Sequence, residues 1–265
     1  MPQKQNNTSW GNVSSWYDEY LQDEDTYQAK VIAPNLIRLL NVDGFESKDK
    51  VVELGCGQGY FMQRVLDVVP RGVHISFEGI DISSELLSIA QKNLGNDVTL
   101  TQSDAAKLTS LKDTSVDLMY SVLALQNMSD LSAVVGEIKR VLKKDGRFIG
   151  VINHPAFRIP KQSDWYFDSN RNAQGRVVYT YMSEKRFAID MHPGKTAEGA
   201  KREETFSFHH PLQFYVKAFA KHGLAITRLE EWISHKVSEE GPKKRMEDES
   251  RKEIPMFMCI EIKGI

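Results

Sequence analysis

Apolar positions fall into two alternating periods along the central part of the chain. Between 26 and 40, Val31, Ile32, Leu36, Ile37, Leu39 and Leu40 recur at helical spacing, and Pro34 inside that run either bends the helix or marks its first turn. The period then shortens. Lys50-Val51-Val52-Glu53-Leu54 is a compact apolar run stopped by glycines, which predicts a buried strand. A helix over 61–69 follows, ended by Pro70 and Gly72. Next come a strand over 74–82 and a helix capped by Ser83 or Ser84 that runs to Leu94 and stops at Gly95. Strands over 97–101 and 115–123, a helix over 131–142, an Asp145-Gly146 turn and a strand over 147–152 complete the series. Strand and helix alternate at lengths that suit right-handed crossovers, so this region predicts a parallel sheet with helices on both faces.

From 153 the rhythm breaks. The segment to 208 is rich in aromatic and polar residues, with strand-like stretches at 176–181, 186–191 and 204–208. It is too long for a plain loop within a compact domain and predicts a functional cap. A helix over 211–222 and an antiparallel strand pair, 226–235 with 254–262, close the chain, joined by a charge-mixed linker over 237–253. The fold expected is therefore a doubly wound, Rossmann-like α/β fold. Its mostly parallel seven-stranded sheet has an antiparallel last strand and an inserted α+β cap after strand 5. The domain plan is a helical N-terminal segment over the site (1–49), an α/β domain (50–152 and 209–265) and the cap (153–208).

Composition narrows the function classes without choosing one. Apolar residues are 41% and charged residues 26% of 265, with a formal net charge of −2, which offers no global attraction to nucleic acid or an anionic membrane. Cys56 and Cys259 stand far apart, so neither a disulfide framework nor a cysteine metal site is expected, and both suit a reducing compartment. The polar N-terminus lacks a signal-peptide core and no apolar run reaches the roughly 20 residues of a membrane span, so the expected location is the cytoplasm. Lys243-Lys244-Arg245 lies among Glu239, Glu240, Glu247, Asp248 and Glu249, a pattern that reads as a solvated mixed-charge loop.

Candidate chemistry concentrates where strands end. Glu53-Leu54-Gly55-Cys56-Gly57-Gln58-Gly59 joins the first strand to its helix; alternate glycines let the backbone turn sharply and approach a ligand closely, at the sheet edge where ligands bind. A bare glycine loop can also be an ordinary turn. Asp81 closes the second strand, about 20 residues on, where a Rossmann-type fold places the acid that accepts bonds from ribose hydroxyls; the alternative is a helix-start acid facing the dipole. Asp104, in Gln102-Ser103-Asp104-Ala105, ends the third strand and could accept from an adenine amino group, or be a turn aspartate.

These residues carry a resemblance. The Glu-x-Gly-x-Gly-x-Gly loop, the strand-end acid, the Ser-Asp-Ala turn, and the later run 131–148 ending Val-Leu-Lys-Lys-Asp-Gly-Arg-Phe resemble the class I S-adenosylmethionine-dependent methyltransferases, in the subgroup around ubiquinone/menaquinone and small-molecule methyltransferases. The resemblance covers about 15–152 well and 209–223 moderately. It implies S-adenosyl-L-methionine as cofactor and S-adenosyl-L-homocysteine as product. Gly55, Cys56, Gly57 and Gly59 would lie along the methionine and ribose parts, and Glu53 would hold the loop and the cofactor's amino end. Asp81 would bind ribose, Ile82 would lie against adenine, Asp104 and Ala105 would hold its edge, and Leu123 would lie near the sulfonium. Tyr17 resembles the aromatic that closes the pocket, and Tyr27 is a second candidate. No metal is implied.

The implied reaction is methyl transfer to an O, N or C atom of a small molecule. An alcohol or phenol acceptor would need a base, and histidine is the natural one near neutral pH. His154, directly after the fifth strand, is the first choice; His209 and His210 are further catalytic candidates, with His192, Trp165, Tyr166, Tyr179 and Tyr181 as other acceptor-side groups. Each can equally be packed or solvated. Three other readings compete: an NAD-dependent oxidoreductase, whose glycine spacing differs; an RNA, tRNA or protein methyltransferase; and a non-catalytic cofactor binder. Against base methylation, 121–127 carries no Asn/Asp-Pro-Pro-aromatic motif. Oligomeric state and acceptor are left open.

Overall fold

The computed structural model describes residues 21, 23–190 and 204–265. Tyr17 and His192 lie outside the described residues. One seven-stranded sheet organises the rest: β1 (Lys50–Leu54), β2 (Ser76–Asp81), β3 (Thr99–Gln102), β4 (Val116–Val122), β5 (Leu142–Asn153), β10 (Leu224–Trp232) and β11 (Phe257–Gly264), ordered β10-β11-β5-β4-β1-β2-β3. The pairings among β1 to β5 are parallel, and β11 runs antiparallel to both β5 and β10. The strand order reverses between β1 and β4, opening a crevice at the carboxyl ends of those strands.

Period-2 alternation splits the core into two layers. Val51 and Tyr120 join the cluster under α1 (Ala33–Leu40), α2 (Tyr60–Leu66) and α3 (Ser84–Leu94). Val52, Leu54 and Met119 join the opposite cluster, under α4 (Leu131–Val141) and α5 (Leu212–Lys221). Both middle helices begin on capping side chains: Ser83 Oγ accepts from Leu86 N–H at 3.3 Å, and Asp130 Oδ1 from Ala133 N–H at 2.9 Å. Pro34 sits in the first turn of α1, where its missing N–H costs nothing, and a π-helical turn (Gln28–Ile32) precedes it. Arg147 fixes this helix to the sheet by donating to the carbonyls of Leu39 and Leu40 at 2.8 and 2.6 Å.

Three expectations change. The Asp145-Gly146 turn is part of β5, where the β4–β5 register shifts from Val116↔Leu142 to Leu118↔Arg147, so the turn residues form a bulge. The 237–253 linker contains a helix, α6 (Lys244–Glu253), which buries only Met246 and Ser250. In the insertion, the described residues form two separate hairpins, β6 (Ser163–Asp168) with β7 (Ala173–Val178) and β8 (Lys185–Asp190) with β9 (Glu204–His209). Among the described residues no helix is long and apolar enough to cross a membrane, and no group of three or more His, Cys, Asp or Glu could hold a metal.

Candidate active site

A cavity of about 290 Å³ opens at the crevice between β1 and β4. Its wall brings together Gly55, Gly57, Asp81, Ile82, Asp104, Ala105 and Leu123, residues separated by up to 68 positions (55 to 123) in the chain. The loop after β1 is built of positive φ angles at Gly55 (73°) and Gly57 (55°). Gly55 and Cys56 donate their N–H groups back to the Ile80 carbonyl at 2.7 and 3.1 Å, so the loop folds over the end of β2. A Cβ on Gly57 would meet no protein atom nearer than Leu86 Cδ1 at 4.0 Å, which leaves room for a ligand to approach the backbone there.

Asp81 joins the loop to the second strand. Its Oδ2 accepts the Gly57 N–H and its Oδ1 the Ser83 N–H, both at 2.9 Å. Each oxygen keeps a lone pair, enough for two vicinal hydroxyls. Burial pushes the Asp81 carboxyl up from its ordinary value, and the N–H groups of Ser83, Gly57 and Ile82 oppose that rise. Asp104 Oδ1 accepts the Ala106 N–H at 2.9 Å, which fixes its carboxylate on the cavity wall. Leu123 holds a left-handed φ of 53°, costly for a branched side chain by roughly 1–2 kcal/mol. Its N–H donates to the Val151 carbonyl at 2.7 Å and its carbonyl accepts from Gln126 and Asn127 at 3.0 and 3.2 Å, so the conformation is held from both sides.

Other candidates stand elsewhere. Glu53 is 1% exposed, away from the cavity wall, and accepts a hydrogen bond from Tyr120 OH at 2.9 Å. Burial pushes its carboxyl well up, so it props the loop from within the core. The Cys56 thiol is likewise pushed up by burial and lies outside the wall, as does Gly59, which starts α2. Tyr27 bonds Ser234 Oγ at 3.2 Å and packs edge-on against His235 and Phe257. His154 is occupied by the fold: Nδ1 accepts the N–H groups of Ala156 and Phe157 at 3.2 and 3.3 Å, while Nε2 lies 2.7 Å from Glu231 Oε1. With its lone pair taken, it braces the start of the insertion and has no free nitrogen for an acceptor. His209 and His210 lie at the end of β9, against the 181–184 segment.

The turn after β4 supplies a part of the wall that motif reading missed, including Asn127, Met128 and Asp130. The signal was available: a polar Asn-Met-Ser-Asp turn between β4 and α4, next to the point where strand order reverses.

The donor and acceptor set suits an adenosine-bearing ligand, with carboxylates at the ends of β2 and β3 and an open glycine backbone between apolar walls. Residues 52–150 match a family model described as "Methyltransferase domain". A malonyl-[acyl-carrier protein] O-methyltransferase of Priestia megaterium is 26% identical over 141 residues, 53% of this chain and 48% of that protein. A demethylmenaquinone methyltransferase of Lactococcus lactis is 28% identical over 213 residues, 74% of this chain and 80% of that protein. The chain spans about half the length or less of the first curated relatives it matches. A crystal structure of an S-adenosylmethionine-dependent methyltransferase from Mesorhizobium loti superposes with a TM-score of 0.65 at 21% identity, covering 90% of this chain and 98% of that one, and so shares its fold.

Proposed function

We propose that this chain, whose residues 52–150 match a methyltransferase-domain model, is a class I S-adenosylmethionine-dependent enzyme that transfers a methyl group to a small molecule. The observation that carries the reading is the convergence of Gly57, Asp81 and Asp104 on one cavity wall, inside the segment that matches the family. S-adenosylmethionine supplies a methyl group on a cationic sulfonium, ready for in-line displacement.

The chain's own residues would do the rest. Gly57 leaves space for close approach, Asp81 accepts the ribose hydroxyls, and Asp104 accepts from the adenine edge. Ile82, Leu86 and Val134 wall the cavity with apolar surface, which excludes water and strengthens the fixed dipoles inside. Leu123, held in its strained turn, would mark the reacting end. The insertion over 153–208 would cover the acceptor. The relatives' names point to two acceptor chemistries, a malonyl group on an acyl-carrier protein and a demethylmenaquinone ring.

Incubating the full chain with isotopically labelled S-adenosylmethionine, 1,4-naphthohydroquinone and a malonyl thioester tests the proposal. Formation of S-adenosylhomocysteine with label in one organic product supports it. Failure to bind S-adenosylhomocysteine at all would remove it.

A further inference from the structure

The insertion and α6 face each other across a second cavity, of about 200 Å³. Strands β5 and β10 both run antiparallel to β11, and β5 is parallel to β4. The insertion after β5 and the α6 segment after β10 therefore leave the sheet at the same edge as the crevice between β1 and β4. Strand β7 packs on α6, and Ser250 Oγ donates to Gln174 Oε1 at 3.3 Å across that contact. Trp165 and Phe167 alternate onto one face of β6, opposite Arg176 and Gln174 of β7. Between that face and the helix lies the cavity, lined by Trp165, Phe167, Gln174, Lys243, Met246 and Glu247. Both rings face a helix yet stay 41% and 38% exposed, because the cavity separates them from it. No residue is shared with the wall of the first cavity.

The charges around these rings are not equally committed. The Arg176 guanidinium lies over Trp165 at 4.9 Å, held there by bonds to the Phe157 carbonyl and to Ser163 Oγ, each at 2.9 Å. The Lys243 ammonium lies over Phe167 at 5.3 Å. Its basic neighbours are neutralised: Lys244 pairs with Glu240, Arg245 with Glu249 at 3.7 Å, and Arg251 with Asp248 at 3.5 Å and Glu247 at 3.9 Å. Among the described residues no carboxylate stands within ion-pair reach of Lys243, so the basic run 243–245 is mixed charge except at its first member. Glu247 is the one acid among the lining residues, and Arg251 draws on it. A cationic ligand would meet Arg176 and Lys243 already on the ring faces. An anionic one would gain an ammonium that lacks a counter-ion.

We propose that this cavity is a binding site for a small aromatic carboxylate, with its ring against Trp165 and Phe167 and its carboxylate on Lys243 Nζ. Its volume is below the roughly 300–1,000 Å³ of sites for drug-sized ligands, so the ligand has one or two rings. A planar ring can lie offset on Trp165 and Phe167, and Met246, 4% exposed, floors the space with an adaptable thioether. Lys243 exchanges its contact with the Phe167 ring for a charge-assisted hydrogen bond, the stronger of the two. The bound carboxylate bridges β6 and the start of α6, elements that the Gln174–Ser250 bond already ties. This site stands apart from methyl transfer, since it uses none of the residues that wall the first cavity.

The test uses the full chain with its four tryptophans replaced by 5-fluorotryptophan. The ¹⁹F resonance of Trp165 is assigned by its loss in Trp165→Phe, and sodium 2-naphthoate is titrated in. Naphthoate should move that resonance saturably, with a Kd near or below about 1 mM, as suits a ligand of so few atoms. Uncharged 2-naphthylmethanol should bind at least about tenfold more weakly, and the 2-naphthyltrimethylammonium ion more weakly still. Lys243→Met and Lys243→Gln both drop the charge. Each should weaken naphthoate about tenfold or more and erase its preference over the alcohol. Lys244→Met should leave naphthoate binding within about twofold. Urea unfolding midpoints of the variants should match wild type, as expected for surface substitutions. An unmoved Trp165 resonance, equal binding of the alcohol, tighter binding of the ammonium ion, or unchanged naphthoate affinity in a folded Lys243 variant would overturn the assignment. Naphthoate binding by a chain that ignores S-adenosylhomocysteine would leave it standing and sink the methyltransferase reading.

Discussion

Replacing Gly57 and Gly55 separately by alanine should divide ligand binding from folding. Both residues have left-handed backbones, at φ 55° and 73°, so each alanine carries a conformational cost of roughly 1–2 kcal/mol. Their surroundings differ. At Gly55 the new Cβ would stand 2.4 Å from the Ala124 Cβ, both on backbone that cannot swing aside, and overpacking of that kind adds about 1–3 kcal/mol. At Gly57 the nearest protein atom is Leu86 Cδ1 at 4.0 Å, an ordinary contact. Gly55→Ala should therefore lose about 2–5 kcal/mol of stability and Gly57→Ala about 1–2 kcal/mol, against a typical total of about 5–15. The Gly57 methyl group would instead fill space facing the cavity. A clash with bound ligand of about 1.4 kcal/mol raises the Kd tenfold. Urea unfolding and calorimetry with S-adenosylhomocysteine measure the two effects. Gly57→Ala should fold with a modest loss and bind at least about tenfold more weakly. Unchanged affinity in a folded Gly57→Ala would refute the claim that this backbone lies against the ligand.

Other consequences are simpler to check. His154→Ala removes the acceptor for two N–H groups and should cost about 1–3 kcal/mol in urea unfolding. Because burial lowers the folded-state pKa of His154 below 6.5, wild-type stability should fall as pH drops below that value, and the alanine variant should show a flatter slope. The Arg38 guanidinium holds the Glu230 carboxyl down to about 2 from 4.5. That contribution is present above pH 4.5 and is lost on acidification toward 2; the pair is solvent-screened, so Glu230→Gln should remove only about 0.5–1 kcal/mol of the acid-sensitive stability. Arg140, braced by Glu137 on its own helix, ties α4 to the loop before β4 through Asp113 and the carbonyls of Leu108 and Leu111, and Arg140→Met should lower stability by about 2–4 kcal/mol.

The sheet was legible because burial on both faces writes itself as short apolar runs, as in Val51-Val52 or Phe148-Ile149, and because Ser83, Gly95 and Asp130 punctuate the helices. The cavity wall was legible for a related reason: Gly57, Asp81 and Asp104 lie at or just past strand ends, and a parallel sheet brings those ends to one edge. Elements lacking a buried face were harder to read. In β6, Trp165, Tyr166 and Phe167 are consecutive and all exposed, so no alternation marks a strand. In α6, ion pairs such as Arg245–Glu249 replace an apolar stripe. At Asp145-Gly146 a strong turn signal lost to the sheet, which absorbed it as a bulge. Glu53 shows the limit of motif reading. Its position beside the loop suggested a part in holding the loop and the cofactor's amino end; strand alternation buries it toward Tyr120, a contact the motif does not announce.

The central claim is that the crevice between β1 and β4 binds the adenosine of S-adenosylmethionine. Calorimetric titration of the full chain with S-adenosylhomocysteine, beside Asp81→Asn and a parallel titration with NADH, tests it most directly. The account predicts saturable 1:1 binding, at least about tenfold weaker in the Asp81→Asn variant as charge-assisted bonds to the ribose are lost, and no heat from NADH. Tight NADH binding, or wild-type protein that ignores S-adenosylhomocysteine, would contradict it.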